Sequence, residues 1–261
     1  MCAHKPVSGR SARSPKRALR APGAERSGWG LRRAAQALAA LALGAASATA
    51  LATLVPAGSS ALLSGTTAAA DPSLAGTVLQ DVVSPFTIDL GSGSTLNGYV
   101  QDRVVRESGS GTLDFYYRLF NGTDTDGCML SSDGSIGVAQ RSGYAGYSTD
   151  VNYRTDGLGS VAPSGASRTA GGDGVLFGFL SNPIAPGQTS LFFFVHTQAT
   201  AYNDLGTGTL IGFNAQGGFG QTQFMTFEPA PVPISPAVWL FASGLLGLLG
   251  VAWRSRTKRF A

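Results

Sequence analysis

Thr112-Leu113-Asp114-Phe115-Tyr116-Tyr117-Arg118-Leu119-Phe120 is the stretch that decides the fold class. Side chains alternate across an extended strand, so Leu113, Phe115, Tyr117 and Leu119 share one face. Asn121-Gly122 then supplies turn chemistry, and the acceptor-like pattern Asn121-Gly122-Thr123 reads as that turn. The same habit recurs outward from this segment. Leu191 to His196 and Val175 to Leu180 are apolar on both faces, as buried central strands are. Ser181-Asn182-Pro183 stops the second of these. Further strands are expected near 76–90, 96–106, 135–140, 208–213 and 221–227. No intervening stretch has a 3.6-residue period. Many short strands with Gly, Asn and Pro turns predict an all-β domain, an antiparallel β-sandwich that is jelly-roll-like or Ig-like.

The chain has 261 residues, 36 of them Gly, with 13% charged residues. Average soluble chains carry about 25% charged residues. The glycines follow no G-X-Y period, which excludes collagen. Charge is partitioned along the chain. Residues 1–70 hold nine Lys/Arg against Glu25; residues 71–230 hold six Arg, no Lys and fourteen Asp/Glu; residues 231–261 hold four basic residues and no acid. The middle is therefore acidic, and no nucleic-acid partner is expected for it.

The ends read as export signals. Lys16, Arg17, Arg20, Arg32 and Arg33 precede an apolar, Ala/Leu-rich stretch from Ala34 to about Val55. Small-residue exits follow at Ala46-Ser47-Ala48 and at Ala68-Ala69-Ala70. Residues 1–70 are thus expected to be a basic n-region and secretory signal segment. An over-extended start and an uncleaved anchor both remain open for the long n-region. The exported acidic β domain is expected at 71–228, followed by a Pro-rich linker at 229–236. Residues 237–253 carry no charge; at 1.5 Å per residue they span about 26 Å, near the ~30 Å hydrocarbon core. Trp239 and Trp253 mark the two interfaces, and Arg254, Arg256, Lys258 and Arg259 form a basic cytoplasmic tail over 254–261 that stops transfer. Both basic ends lie inside by this rule, and the β domain outside.

The run Val232-Pro233-Ile234-Ser235-Pro236-Ala237-Val238-Trp239-Leu240-Phe241 resembles the PEP-CTERM sorting signal, in the variant written VPLPAAVWLF. Ser243-Gly244-Leu245-Leu246-Gly247-Leu248 continues the match. Ile234 replaces Leu, and Ser235 is an extra residue. The resemblance implies a precursor exported through its signal peptide, held transiently in the inner membrane, recognised by an exosortase, and moved to the cell surface or extracellular matrix of an exopolysaccharide-producing, biofilm-forming bacterium. Val232, Pro233, Ile234 and Pro236 would then be the sorting motif, and Trp239, Leu240, Phe241, Gly244, Leu245, Leu246 and Trp253 the anchor. A plain single-pass anchor is the alternative. A weaker resemblance joins Ser190–Leu210, with Thr197-Gln198-Ala199-Thr200-Ala201-Tyr202 and a turn at Gly206-Thr207-Gly208, to β domains of such exported proteins.

Catalytic chemistry is poorly supplied. His196 and Cys128 are the only His and Cys between residues 71 and 230. They could form a nucleophilic pair only if they meet in space. His196 shares its face with Phe192 and Phe194 and reads as structural, and Cys128 as a buried small hydrophobe. Asp124-Thr125-Asp126 begins like a calcium loop, but Cys128 and Met129 occupy the positions where a ligand and Gly are needed. No catalytic residue, metal or cofactor is expected, with an irregular calcium site built from the fourteen acidic residues of the domain as the alternative. Tyr144, Tyr147 and Tyr153 are the candidate glycan contacts. The expected function is a non-enzymatic exported surface protein, with polysaccharide binding as the alternative and hydrolysis by Asp carboxylates, or by Cys128 with His196, behind it.

Overall fold

A computed structural model describes residues 52–123 and 130–231, together with Ser243. The described residues form twelve strands: β1 (Thr53–Leu54), β2 (Ser60–Leu62), β3 (Gly76–Gly91), β4 (Ser94–Glu107), β5 (Leu113–Asn121), β6 (Ser135–Arg141), β7 (Asp150–Tyr153), β8 (Gly165–Arg168), β9 (Val175–Gly178), β10 (Phe193–His196), β11 (Ala201–Phe213) and β12 (Phe219–Ala230). They build two six-stranded sheets. Sheet I has the order β1-β7-β10-β5-β4-β3 and sheet II the order β12-β11-β6-β9-β8-β2. Every strand pair is antiparallel. The expected all-β, sandwich-like class is what the chain adopts.

One apolar core joins the inner faces. Leu113, Phe115, Tyr117 and Leu119 are buried there as their alternation requires, with Phe193 and Val195 of β10. Sheet II contributes Ile136, Ala139, Val175, Phe177 and Leu210. Phe193 packs against Phe177 with ring centroids 4.6 Å apart, a direct bridge between the sheets. The β3–β4 hairpin turns at Ser92-Gly93, with φ of 52° and 80°. Positive φ at both central residues is the type I′ geometry that matches strand twist.

The core also holds a cation. Arg141 is fully buried. Its guanidinium carbon lies 3.9 Å from the Tyr117 ring centroid and 4.4 Å from that of Phe224. None of its three nitrogens has a hydrogen-bond partner, so aromatic faces take the place of acceptors. Asp102 is the buried acid that feels its charge. Burial pushes the Asp102 carboxyl upward, and Arg141 opposes that shift. Thr226 Oγ1 and the Phe227 N–H, the latter at 3.2 Å, donate to one Asp102 oxygen.

Three boundaries differ from the sequence reading. First, the fold starts before Asp71. β1 pairs with β7 and β2 with β8, so each sheet has an edge strand from within 52–70, and Val55 is fully buried in the core. An Ala/Leu-rich edge strand is indistinguishable by hydropathy from the end of a signal. Second, Pro229 and Ala230 pair with Tyr202 and Ala201 in β12, so the domain runs past the expected linker boundary at 228. β12 is an edge strand, where Pro is tolerated. Third, Gly206-Thr207-Gly208 is not a turn. It lies inside β11, beside a bulge between Asn203 and Gly206.

Among the described residues no helix is long and apolar enough to cross a membrane. The signal segment up to residue 51, the sorting motif from Val232 to Pro236, the expected anchor apart from Ser243, the basic tail and Cys128 lie outside the described residues.

Candidate functional site

The outer face of sheet I is the most differentiated surface of the fold, and strand register explains why. Tyr117 and its neighbours at period two fill the core, so Asp114, Tyr116 and Arg118 must face away from it. The same rule turns Gln101, Arg103, Val105 and Glu107 of β4 outward, with Phe194 and His196 of β10. Cross-strand pairing then arranges these side chains in rows. Val105, Asp114, His196 and Asp150 are successive partners across β4, β5, β10 and β7. Arg103, Tyr116, Phe194 and Asn152 form the next row. Gln101 opposes Arg118 in the third. The face thus grades from acidic, through aromatic, to basic.

The aromatic and basic rows shape a groove of about 360 Å³, lined in part by Gln101, Arg103, Tyr116, Arg118, Arg154 and Phe192. Leu74, Val105, Tyr116, Phe192 and Phe194 form a second, smaller apolar cluster at its floor. The Pro72–Leu74 turn, capped by the Asp71 side chain, delivers Leu74 to this cluster. Arg103 stacks on Phe192 with its guanidinium carbon 4.7 Å from the ring centroid, and Arg118 lies 4.6 Å from Phe120 and 5.5 Å from Phe192. A guanidinium over a ring face still has N–H groups to offer an anion.

The three arginines differ in their charge partners. Arg103 bonds Asp81 at 2.7 Å, and Arg154 makes a fork to Asp156 at 2.7 and 2.9 Å. Arg118 has no ion pair among the described residues, and its buried Nε has no acceptor. Burial first, and the nearby Arg103 charge second, make it harder for Arg118 to keep its proton. An anion placed here would relieve both effects.

The tyrosines expected to contact a glycan are not brought together as an exposed platform. Tyr144 is fully buried in the core, its hydroxyl 2.5 Å from that of Tyr117, and offers no surface; its placement corrects the expectation. The turn at Gly143 and Gly146 tucks the ring inward, where it meets Phe115 edge-on at 5.9 Å. Tyr147 is half-buried in that loop and accepts a bond from Arg168 through its carbonyl. Tyr153 is half-buried on β7 and packs on the inner core. Asn121, read as a turn residue, is buried, and its amide donates to the carbonyls of Gly134 and Ile184. His196 shares the Phe194 face as expected, but it is engaged in polar contacts as well, through Nδ1 to Asp114. The groove arginines were missed. The legible signal was that Arg118 and Arg103 fall on the strand faces opposite the core residues.

No family model, curated protein or solved structure matches the chain.

Proposed function

We propose that this chain is an exported, non-enzymatic surface protein whose sheet I groove binds an acidic extracellular polysaccharide. The observation that carries this reading is the concentration of charge. The stretch 71–230 has six arginines against fourteen acids, yet Arg103, Arg118 and Arg154 line one groove. Two of the three lie over aromatic rings, and Arg118 has no counter-charge among the described residues. Guanidinium forks match carboxylates bidentately, which favours a polyuronate over a neutral glucan. The acidic remainder of the domain would repel a polyanion elsewhere and so confine it to the groove.

The resemblance of the C-terminus to a PEP-CTERM signal supports delivery to the same compartment. Export would proceed through the N-terminal signal, followed by a transient inner-membrane stage and recognition by an exosortase at Val232, Pro233, Ile234 and Pro236. The chain passes between the sheets repeatedly, with β6, β8 and β9 in one and β7 and β10 in the other. That weaving favours a jelly-roll-like over an Ig-like description of the fold.

Binding of the purified full chain to polygalacturonate, with dextran as the neutral control, tests the proposal. Saturable binding to the acidic polymer alone is expected, weakening as salt rises. A charge-assisted hydrogen bond is worth about 1.5–3 kcal/mol, so Arg118→Gln should weaken binding by about 10- to 100-fold. Equal affinity for dextran, or an unchanged Arg118→Gln variant, would remove the basis for the reading.

A further inference from the structure

At the acidic end of the same sheet face, three side chains converge that the groove does not use. His196 Nδ1 lies 2.8 Å from Asp114 Oδ1 and 2.9 Å from Glu107 Oε1. The three potential ligand atoms all lie within 4.8 Å of one another. They come from three adjacent strands. Register places Asp114 directly opposite His196, and Glu107 ends β4 on the same face.

The hydrogen bonding of this cluster is incomplete. An imidazole nitrogen carries at most one proton, and two carboxylate oxygens aim at this one. Asp114 Oδ1 receives the hydrogen bond. Glu107 Oε1 is buried and receives none. The other Glu107 oxygen is fully engaged, with Thr112 Oγ1 at 3.0 Å and the Ser110 hydroxyl both donating to it. Oε1 is therefore a buried carboxyl oxygen beside the imidazole without a donor. Both carboxylates are almost wholly shielded from water, and His196 is about a quarter exposed. A buried acceptor left in this state is destabilising unless a donor or a cation meets it.

Electrostatics point the same way. Glu107 and Asp114 bring their carboxylates to the same nitrogen of His196. Asp150 faces His196 from β7. Two shielded carboxylates and the Asp150 carboxyl thus gather around one imidazole. Arg106, the nearest arginine in sequence to Glu107, is turned to the carbonyls of Gly111 and Thr200. The imidazole is the one group of the cluster that can meet these carboxylates, and its Nδ1 has a single proton for two of them.

We infer that Glu107, Asp114 and His196 form a binding site for a zinc-class divalent metal ion. One imidazole nitrogen with two carboxylate oxygens is a borderline donor set that suits Zn²⁺ or Mn²⁺, whereas Ca²⁺ prefers six to eight oxygens. Three protein ligands leave a position for water or a ligand oxygen on the exposed side of His196. Metal would take the place of the Nδ1 proton, so binding releases a proton. No ligand-spacing motif marks this site in the sequence, because Glu107, Asp114 and His196 are scattered over ninety residues. The inference is independent of polysaccharide binding in the groove.

Isothermal titration of the metal-stripped full chain with Zn²⁺, Mn²⁺ and Ca²⁺, each alone, tests the site. One Zn²⁺ per chain is expected to bind, more tightly than Ca²⁺, with a heat that varies with the buffer's ionisation enthalpy because a proton leaves. Asp114 is buried, and Asp114→Asn is at risk of misfolding. His196→Gln, at a partly exposed position, is therefore the deciding variant, with its fold checked by circular dichroism. Loss of stoichiometric Zn²⁺ binding in folded His196→Gln supports the site. Binding that survives in that variant comes from elsewhere in the chain and overturns it. So does a wild-type chain that binds neither Zn²⁺ nor Mn²⁺, or one that prefers Ca²⁺.

Discussion

A chain that begins at Asp71 is expected to lose the native sandwich, whereas one that begins at Ala50 keeps it. The difference lies in residues 52–70. Removing them strips β1 from β7 and β2 from β8, which opens an edge of both sheets at once. Val55 leaves the core, and such a side chain contributes about 1.5–3 kcal/mol through burial. Hydrogen bonds go with it. The Val55 N–H donates to Thr149 O at 2.9 Å, the Gly65 N–H to Asn152 Oδ1 at 2.9 Å, and the Thr66 N–H to Tyr153 O at 2.9 Å. With each hydrogen bond worth about 0.5–1.5 kcal/mol net, the total approaches the whole stability of an ordinary domain, about 5–15 kcal/mol. Urea titrations of the two chains measure this. A midpoint within experimental error for both would show that the segment is dispensable.

If the chain is exported as proposed, the same geometry constrains where its signal is cut. Of the two small-residue exits, Ala46-Ser47-Ala48 leaves both edge strands on the mature protein, and Ala68-Ala69-Ala70 discards them. Intact mass spectrometry of the protein from its native host should find an N-terminus near Thr49. It should also find a C-terminus near Val232 to Pro236 if the sorting proposal holds. A membrane form retaining Arg254 to Arg259 would instead make the C-terminal segment a permanent anchor.

Arg141→Met is expected to destabilise the protein by about 2–4 kcal/mol, from the loss of a desolvated cation on two aromatic rings and of the charge that offsets the burial of Asp102. Methionine fills most of the space between Tyr117 and Phe224, so packing is nearly conserved. What disappears is the cation on the two rings and the only charge opposing Asp102's burial. The deficit should depend on pH. Asp102 already titrates above its ordinary value in the folded protein, and losing Arg141 raises it further. A carboxyl with a raised folded pKa favours folding below its unfolded pKa, and that contribution is lost as pH rises through the folded value. The deficit should therefore be smallest near pH 4 and grow toward neutrality. Adding Asp102→Asn should recover much of the loss at pH 7. Urea denaturation of the single and double variants at both pH values measures this, and a deficit independent of pH would mean that Arg141 acts through packing alone.

How far the fold could be read depended on segment length and composition. β5 was legible because nine alternating residues have an unambiguous period, and β10 because an aromatic run apolar on both faces reads as a buried central strand. β7 (Asp-Val-Asn-Tyr) and β8 (Gly-Ala-Ser-Arg) are four residues each, too short and polar for alternation to register, and tertiary pairing alone makes them strands. β1 and β2 were hidden because their composition continues that of the preceding apolar segment. Arg141 falls on the same face as Ala139, but its residue type argues for solvent, and only the facing rings of Tyr117 and Phe224 reconcile the two. The candidate sites were partly legible. Outward placement of Arg103, Arg118, Asp114 and His196 follows from β4, β5 and β10. Their grouping does not, because it depends on which strands are neighbours and in what register. Tyr144 failed for the opposite reason. It sits in a glycine-rich loop that looks exposed, yet the loop folds its ring into the core.

Arginine-selective chemical labelling of the full chain, read by peptide mass spectrometry with and without an oligogalacturonate, tests the binding proposal most directly. Arg118 should be labelled in the free protein and protected at saturating ligand, with Arg103 and Arg154 changing at the same ligand concentration and Arg106 and Arg168 unaffected. Protection that spares Arg118, or that spreads evenly over all the arginines, would place the polysaccharide elsewhere and contradict the groove as its site.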